Sequence, residues 1–225
     1  MAAASVSDLA DRLAPGALVV DAGAGSGLRA RALADGGFDV LALEPDPAEA
    51  ARAHMALDGT GARVVPAPLE ELAVALGGRQ ADAVVMWHVL EHVADPDAVL
   101  AGAAHALRPG GLLLVAVPNR RSAEARAFGD SWHGWEPSRH RWHLDGRALR
   151  LMLGGAGFAV DHVTPRGGWG YPAGIAFSLA PGLDPQVNPS RALAGRALVA
   201  AMIPVALAAR AGGRGGQLVT VARRT

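Results

Sequence analysis

Val19-Val20-Asp21-Ala22-Gly23-Ala24-Gly25-Ser26-Gly27 is the stretch on which the reading of this chain turns. Two β-branched residues lead into an acidic residue, and glycines follow at alternate positions. The run from Leu28 to Gly36 then reads as a helix. A strand, a glycine turn and a helix in that order build a site for a nucleotide-like ligand. Glycine backbones adopt positive φ and let a ligand approach without meeting a Cβ, and the helix N-terminus offers unpaired N–H groups to polar ligand atoms. A dinucleotide fold asks for G-x-G-x-x-G, whose third glycine allows close helix–strand packing. Here the third glycine comes one position early, and Leu28 stands where that pattern wants glycine. A phosphate-gripping P-loop asks for Lys and Ser/Thr after its last glycine, and Leu28-Arg29 supplies neither. A glycine-rich turn of some other α/β domain is the plain alternative.

Outward from the turn, strands and helices alternate. Strands are expected over 17–22, 39–43, 63–65, 83–87, 112–117, 158–164 and 217–222. Helices are expected over 7–13, 28–36, 47–57, 70–76, 95–107 and 144–156, with Pro15-Gly16, Gly36-Gly37, Gly59, Pro109-Gly110-Gly111 and Gly157 as punctuation. Continuous apolar runs suit buried parallel strands, and this alternation argues for a parallel sheet covered on both faces. After Asn119 the pattern loosens. Trp132 to His143 reads as an aromatic- and His-rich loop, and the 166–216 segment as an insertion between the last two strands. In that insertion Gly167 to Pro172 reads as a flexible lip. Ala192 to Ala211 reads as an Ala-rich helical stretch with Pro204 inside it. The whole, 1–225, is read as a single domain.

Composition closes off several classes. The apolar content of 51% is ample for a core, and 21 basic residues balance 21 acidic ones, so bulk charge suggests no nucleic-acid partner. The chain has no Cys, which excludes a disulfide framework, a thiolate metal site and a Cys nucleophile. All its basic residues are Arg, read with the Ala and Gly richness as coding bias. Met1 to Ser5 lacks the charged and apolar regions of a signal peptide, so a cytoplasmic location is expected. The apolar run 197–209, with Arg191, Arg196, Arg210 and Arg214 around it, is too short to span a bilayer. A helix packed on its own sheet or on a second subunit is favoured over one resting on a membrane surface near a lipid-linked acceptor.

Four further stretches accompany the glycine turn: Glu44-Pro45 at the end of the second strand; Asp82 to Val93 followed by Asp95-Pro96; Leu107-Arg108-Pro109-Gly110-Gly111 leading into Leu112 to Asn119; and Pro137-Ser138-Arg139-His140-Arg141-Trp142-His143-Leu144, before a helix and Gly157-Phe158. Together they resemble class I S-adenosylmethionine (SAM)-dependent methyltransferases. Within that class they resemble a bacterial group that includes proteins similar to the ubiquinone-pathway O-methyltransferases and relatives in glycan and natural-product clusters. The resemblance runs over residues 15–165. It implies a Rossmann-like α/β fold: a seven-stranded sheet in the order 3-2-1-4-5-7-6, the last strand antiparallel, with helices on both faces. SAM is the implied cofactor, lying over the C-terminal ends of the first, second and fourth strands, as open α/β sheets place their ligands. The implied cofactor-binding residues are Asp21, Gly23, Ala24, Gly25, Gly27, Glu44, Pro45, Leu69, Trp87 and His88. A carboxylate at Glu44 accepts both hydroxyls of a ribose. Many relatives carry an acidic residue after the third strand for the adenine amino group. Here Pro68 or Leu69 occupies that position, with Glu70 and Glu71 next, so backbone groups and apolar contact are expected to hold the adenine.

Methyl transfer from a sulfonium is an in-line displacement in which the enzyme mainly supplies alignment. A hydroxyl acceptor also needs a base, and histidine is the natural candidate near neutral pH. His88, His92, His140 and His143 all fall in loops expected at the mouth of the sheet, and they are the catalytic candidates. His88-Val89-Leu90-Glu91-His92 also matches the H-x-x-E-H pattern of zinc peptidases. That pattern works on a helix, where positions four apart share a face, whereas this stretch follows an apolar strand. In the resembling quinone O-methyltransferases, acidic and His side chains at this place bind a divalent metal; His88 replaces an acidic residue, while Glu91 and His92 match. Mg²⁺ prefers oxygen ligands and His suits zinc-like ions. No metal is therefore expected, with His88, Glu91 and His92 as the alternative ligand set and a structural role for Glu91 and His92 beside it. Trp132, Trp135 and Trp142 are expected to line the acceptor pocket or pack in the core, and Arg139 to pair with a carboxylate or phosphate on the acceptor. The acceptor is expected to be a small molecule, a glycan or a lipid precursor methylated at oxygen, and the protein a monomer or homodimer. The rivals are a non-catalytic SAM- or nucleotide-binding module and an NAD-dependent oxidoreductase.

Overall fold

A computed structural model describes residues 2–166, 170–184, 189–205, 207 and 215–225. Helix α1 (Ala2–Ala10) precedes β1 (Leu18–Ala22), α2 (Leu28–Asp35), β2 (Asp39–Leu43), α3 (Pro47–Ala56) and β3 (Arg63–Val65). Then come α4 (Leu72–Ala75), β4 (Ala81–Trp87), α5 (Pro96–Ala106), β5 (Leu107–Pro118), α6 (Ala123–Phe128) and α7 (Gly146–Gly155). The chain continues through β6 (Phe158–Val160), β7 (Thr164–Arg166), α8 (Gly170–Leu179), α9 (Ala192–Ala201) and β8 (Gln217–Arg224).

The sheet order is β3-β2-β1-β4-β5-β8-β6, with β7 also paired to β8. Strands β1 to β5 run parallel, and β8 is antiparallel to β5 and to both edge pieces. This is the expected Rossmann-like order with one refinement: the expected sixth strand, 158–164, is two short pieces on the same edge of β8. Val160 faces Ala222 and Thr164 faces Val219, so the edge strand spends one residue more than its partner. That is a bulge, tied down by the Thr220 hydroxyl, which donates to the His162 carbonyl at 2.7 Å. Pro165 is tolerated here because it lies on an edge piece. The expected turn at 107–111 is likewise a bulge at the start of β5, since Ala81 pairs with Leu107 but Ala83 with Leu112.

Both faces of the sheet are covered, which is why the strands read as unbroken apolar runs. Val20, Leu41, Met86 and Leu113 pack under α4, α5 and α7, through Leu72, Leu100 and Leu149. Val19, Val40, Val85 and Leu114 pack under α1 and α2, through Leu9 and Leu33. Helix starts follow local chemistry: Asp46, Asp95 and Asp145 cap α3, α5 and α7 with their carboxylates, and Pro47 and Pro96 stand at the first helical positions.

In the 166–216 segment, the expected lip is the start of a helix from Gly170 onward, while 167–169 lie outside the described residues. The Ala-rich stretch is helical as α9, which stops at Ala201 with Pro204 just beyond its cap. Arg210 and Arg214 lie outside the described residues. Among the described residues, no helix is long and apolar enough to cross a membrane.

Candidate active site

The glycine turn joins β1 to α2 with Gly23, Gly25 and Gly27 at φ +78°, +53° and +80°. Two of the three are hemmed in. A Cβ on Gly23 would stand 2.6 Å from a methyl of Val89, and one on Gly27 would stand 2.7 Å from the Cα of Ala53. Gly25 faces open space and so presents bare backbone. No side chain caps α2, and the Ala30 amide of its first turn is directed at Asp21 beneath. Glu44 ties this turn to the end of β2. Its Oε2 accepts from the Gly25 N–H at 2.7 Å and its Oε1 from the Asp46 N–H at 2.9 Å. The Gly23 and Ala24 amides both donate to the Leu43 carbonyl. Pro45 is exposed beside Glu44, and Leu69 is half-buried against the core at the start of a short turn of helix.

Beneath the turn, Asp21 is buried with Arg29 Nε 3.9 Å from its Oδ1. The Arg29 guanidinium lies 4.2 Å from the centre of the Trp87 ring. A cation in the first turn of a helix opposes the helix dipole; the carboxylate and the aromatic face offset that here. Burial pushes the Asp21 carboxyl up to about 6, against the pull of Arg29 and the Ala30 amide, and it draws the Arg29 guanidinium down. Asp21 Oδ2 and Trp87 Nε1 are both buried without a hydrogen-bond partner.

The raised Asp21 carboxyl has a consequence for stability. Between its ordinary value of 3.8 and about 6, the folded chain holds a proton that the unfolded chain has lost, so stability falls as pH rises through that window. The loss amounts to about 3 kcal/mol when complete. Urea unfolding at pH 4.5 and pH 7 is expected to show a smaller drop for Asp21→Asn than for the parent chain. Equal drops would mean that Asp21 does not titrate in this window.

His88 follows β4 in the left-handed region, φ +56°, a conformation that costs a non-glycine residue ~1 kcal/mol. Its N–H donates to the Ala116 carbonyl at 2.8 Å. Its ring is held at both nitrogens, Nδ1 at 2.9 Å from Glu91 Oε1 and Nε2 at 3.2 Å from Gln217 Oε1. Glu91 is fully buried, and its Oε2 has no partner. The Glu91 carbonyl accepts from the Arg141 and Trp142 amides, which brings the 132–143 loop over this turn.

That loop carries the other candidates. His92 Nδ1 bonds the Arg139 carbonyl at 3.2 Å, and its ring lies 4.7 Å from that of His140. His140 Nδ1 bonds the Gly134 carbonyl, and its Nε2 is 3.4 Å from Glu136 Oε2. Burial draws the His140 imidazole below its ordinary value, against the Gly134 carbonyl and the acids nearby. His143 Nε2 is 2.7 Å from the Trp135 carbonyl oxygen. Trp132 and Trp135 meet edge to face at 5.1 Å, and Trp135 meets His143 at 4.9 Å. Trp142 donates its N–H to the Val93 carbonyl at 2.9 Å and is 38% exposed.

A cavity of about 380 Å³ opens between this loop, the end of β4 and α8. His88, His92, His140, Trp132 and Arg139 line it, whereas His143, Trp135 and Trp142 do not. Glu124, His133, Phe177, Asp184 and Gln217 complete much of the wall, and sequence reading singled out none of them. His133 belongs to the aromatic loop, where its company was a usable signal. Glu124 and Gln217 come from a short helix and a strand end whose local sequence carries no motif. The expected alternative metal set also changes. The donor atoms of Glu91, His92 and His140, rather than of His88, lie within 4.8 Å of one another. One carboxylate and two imidazoles suit a zinc-like ion better than Mg²⁺.

Comparisons with known proteins fit this geometry. A family model for a methyltransferase domain matches residues 2–163. The ubiquinone biosynthesis O-methyltransferase of Caulobacter vibrioides is 34% identical over 154 residues, which are 65% of this chain and 61% of that protein. The protein of the same description from Sinorhizobium medicae is 36% identical over 105 residues, 47% of this chain and 42% of its own length. The chain thus spans less than two thirds of these relatives. Among solved structures, magnesium protoporphyrin IX methyltransferase from Synechocystis with bound SAH superposes with a TM-score of 0.65 at 17% identity, covering 100% of this chain and 82% of that one. The 4+2 cyclase SpnF superposes with a TM-score of 0.67 at 21% identity, covering 98% and 80%. At such identities the structural likeness speaks for the fold. The family match runs through the glycine turn, the Trp87-to-His92 stretch and the β5 bulge, and by it this chain belongs to the methyltransferase-domain family.

Proposed function

We propose that this chain transfers a methyl group from SAM to a hydroxyl of a small-molecule, glycan or lipid-precursor acceptor. The observation that carries the reading is a bare glycine backbone anchored by Glu44, joined through Trp87-His88 to a cavity walled by imidazoles. The residues fit the cofactor. Gly25 leaves room for it, and no side chain caps the start of α2. Each oxygen of Glu44 keeps a lone pair beyond the amide it accepts, enough for two ribose hydroxyls. Asp21 Oδ2 and Trp87 Nε1 are buried polar atoms in want of partners beside the same turn. When bound, SAM supplies a methyl group on a positively charged sulfur, already a good leaving group.

His88 is the residue we assign as base. Glu91 accepts from its Nδ1–H and so fixes the tautomer; Nε2, 3.2 Å from Gln217 Oε1, acts as base in the neutral ring once the acceptor hydroxyl takes the place of that amide oxygen, which has no proton to give it. Of the other candidates, His140 faces Glu136 and the Gly134 carbonyl, His143 meets the Trp135 carbonyl and does not line the cavity, and His92 meets the Arg139 carbonyl through Nδ1. The alternatives are a non-catalytic SAM- or nucleotide-binding module and an NAD-dependent oxidoreductase. Leu28 at the third-glycine position speaks against the latter.

Calorimetric titration of the metal-stripped protein with S-adenosylhomocysteine and, separately, NAD tests the cofactor. Saturable binding of the former alone supports the reading; preference for NAD, or no binding of S-adenosylhomocysteine, overturns it. Turnover in an acceptor screen then separates enzyme from binding module. In that screen, activity is expected to survive dialysis against EDTA. Loss of activity restored by Zn²⁺ but not Mg²⁺ would instead assign a cation to Glu91, His92 and His140 and withdraw the metal-free mechanism.

A further inference from the structure

Glu124 takes no part in the proposed transfer, yet it lines the cavity and is only 5% exposed. Its Oε2 accepts from the Trp132 indole N–H at 3.2 Å, while its Oε1 is shut off from water with no partner. A buried carboxyl oxygen left in that state is costly. Gly174 of α8 makes room for the group: a Cβ there would come within 3.0 Å of Oε2. Burial raises the Glu124 carboxyl to about 8, so in the empty cavity at neutral pH it is a neutral acid.

Glu136 and Asp184 line the same cavity. Arg139, the guanidinium among the described lining residues, is already on Glu136, with Nη1 3.0 Å from Oε1. His133 faces Asp184 at 3.8 Å, and His88, His92 and His140 are the other titratable groups of the wall. Trp132 and Phe177 are aromatic members of the same wall. Carboxyl groups among aromatic rings, with the available guanidinium spent on one of them, make poor company for an anion and good company for an organic cation.

We infer that Glu124 reads the acceptor, and that the acceptor carries a protonated amine or related organic ammonium group that draws the carboxyl, with its unpartnered Oε1, to the cavity. The inference rests on the cavity being the acceptor site of a methyltransferase. The ammonium group is a recognition handle, separate from the hydroxyl that is methylated. Arg139 then serves Glu136 and not, as the sequence led us to expect, an anionic acceptor. The protons balance simply. The ammonium keeps its own, Glu124 gives its proton to solvent, and a charge-assisted pair replaces a buried neutral acid.

Benzylamine, benzyl alcohol and benzoate, titrated into the protein with S-adenosylhomocysteine present, are the probes. Benzylamine is expected to bind about tenfold or more tightly than benzyl alcohol, and benzoate most weakly. Calorimetry at pH 7 in buffers of different ionisation enthalpy is expected to find close to one proton released with benzylamine and none with benzyl alcohol. Glu124→Gln keeps the shape and an oxygen for Trp132, so it is expected to abolish both the preference and the proton release while S-adenosylhomocysteine affinity holds. Gly174→Ala, which crowds the carboxyl without removing it, is expected to weaken benzylamine as well. Equal binding of the three probes, a preference for benzoate, absence of binding by all of them, or an unchanged preference in Glu124→Gln each overturns the inference. If S-adenosylhomocysteine binds and benzylamine shows no advantage, this inference falls alone. If benzylamine behaves as described and S-adenosylhomocysteine does not bind, the methyltransferase reading is the one that falls.

Discussion

Glu44→Ala is expected to weaken S-adenosylhomocysteine binding by about a hundredfold or more, the larger of the two cofactor-side effects accessible by mutation. Two losses combine. The carboxylate would give up hydrogen bonds to both ribose hydroxyls, each to a charged acceptor and so worth ~1.5–3 kcal/mol. It would also release the Gly25 and Asp46 amides, which it holds at 2.7 and 2.9 Å, so the glycine turn would lose its tie to the end of β2. Glu44→Gln separates the two. Its single carbonyl oxygen can keep one of these amides, while its NH₂ turns a donor toward the other, so an intermediate loss near tenfold is expected. Calorimetry on both variants, with thermal unfolding alongside, makes the check. A folded Glu44→Ala that binds S-adenosylhomocysteine like the parent would show that the ribose is not held at Glu44.

How far the sequence reached depends on how local the determining chemistry is. Glycines at alternate positions specify a turn with positive φ by themselves, so Gly23, Gly25 and Gly27 were legible, and Glu44 followed from its place at the end of an apolar run. The doubly covered strands were legible for the same reason. The edge was less so: a bulge at 161–163 leaves no mark in a segment of mixed polarity, because its cause is the Thr220–His162 bond from another strand. The start of α8 reads as a lip because Gly170 and Pro172 are turn residues, and the apolar residues that follow are what make the helix. At the candidate site, the loop histidines were visible as types but not as partners. Only folding shows that His88 is pinned between Glu91 and Gln217, or that His140 and not His88 joins Glu91 and His92. Glu124 was invisible because nothing in Ser122-Ala123-Glu124-Ala125 distinguishes a buried carboxyl from an ordinary helix-start acid; its burial comes from Trp132 and α8.

His88→Asn is expected to lower kcat by ~10²–10⁴-fold, the range for removing a positioned general base, with S-adenosylhomocysteine affinity close to that of the parent chain. Asparagine suits the test because it tolerates the left-handed backbone at φ +56° and its amide can still donate toward Glu91. The fold is therefore expected to hold within ~1 kcal/mol, since most surface-level and accommodated substitutions stay near that range. Glu91→Gln reports a positioning role and should behave differently. It leaves His88 in place with an amide at 2.9 Å in place of the carboxyl group, so kcat is expected to fall less than in His88→Asn. The competing assignments predict another pattern. A base at His92 or His140 would leave His88→Asn nearly as active as the parent, and the loss would follow His92→Asn or His140→Asn. A cation on Glu91, His92 and His140 would make all three of those side chains costly and His88 tolerant, with the defect depending on added Zn²⁺. The imidazole held through Nδ1 by Glu91 at the cavity wall is already oriented before any substrate arrives, and for that reason turnover is expected to depend on His88 more than on its neighbours.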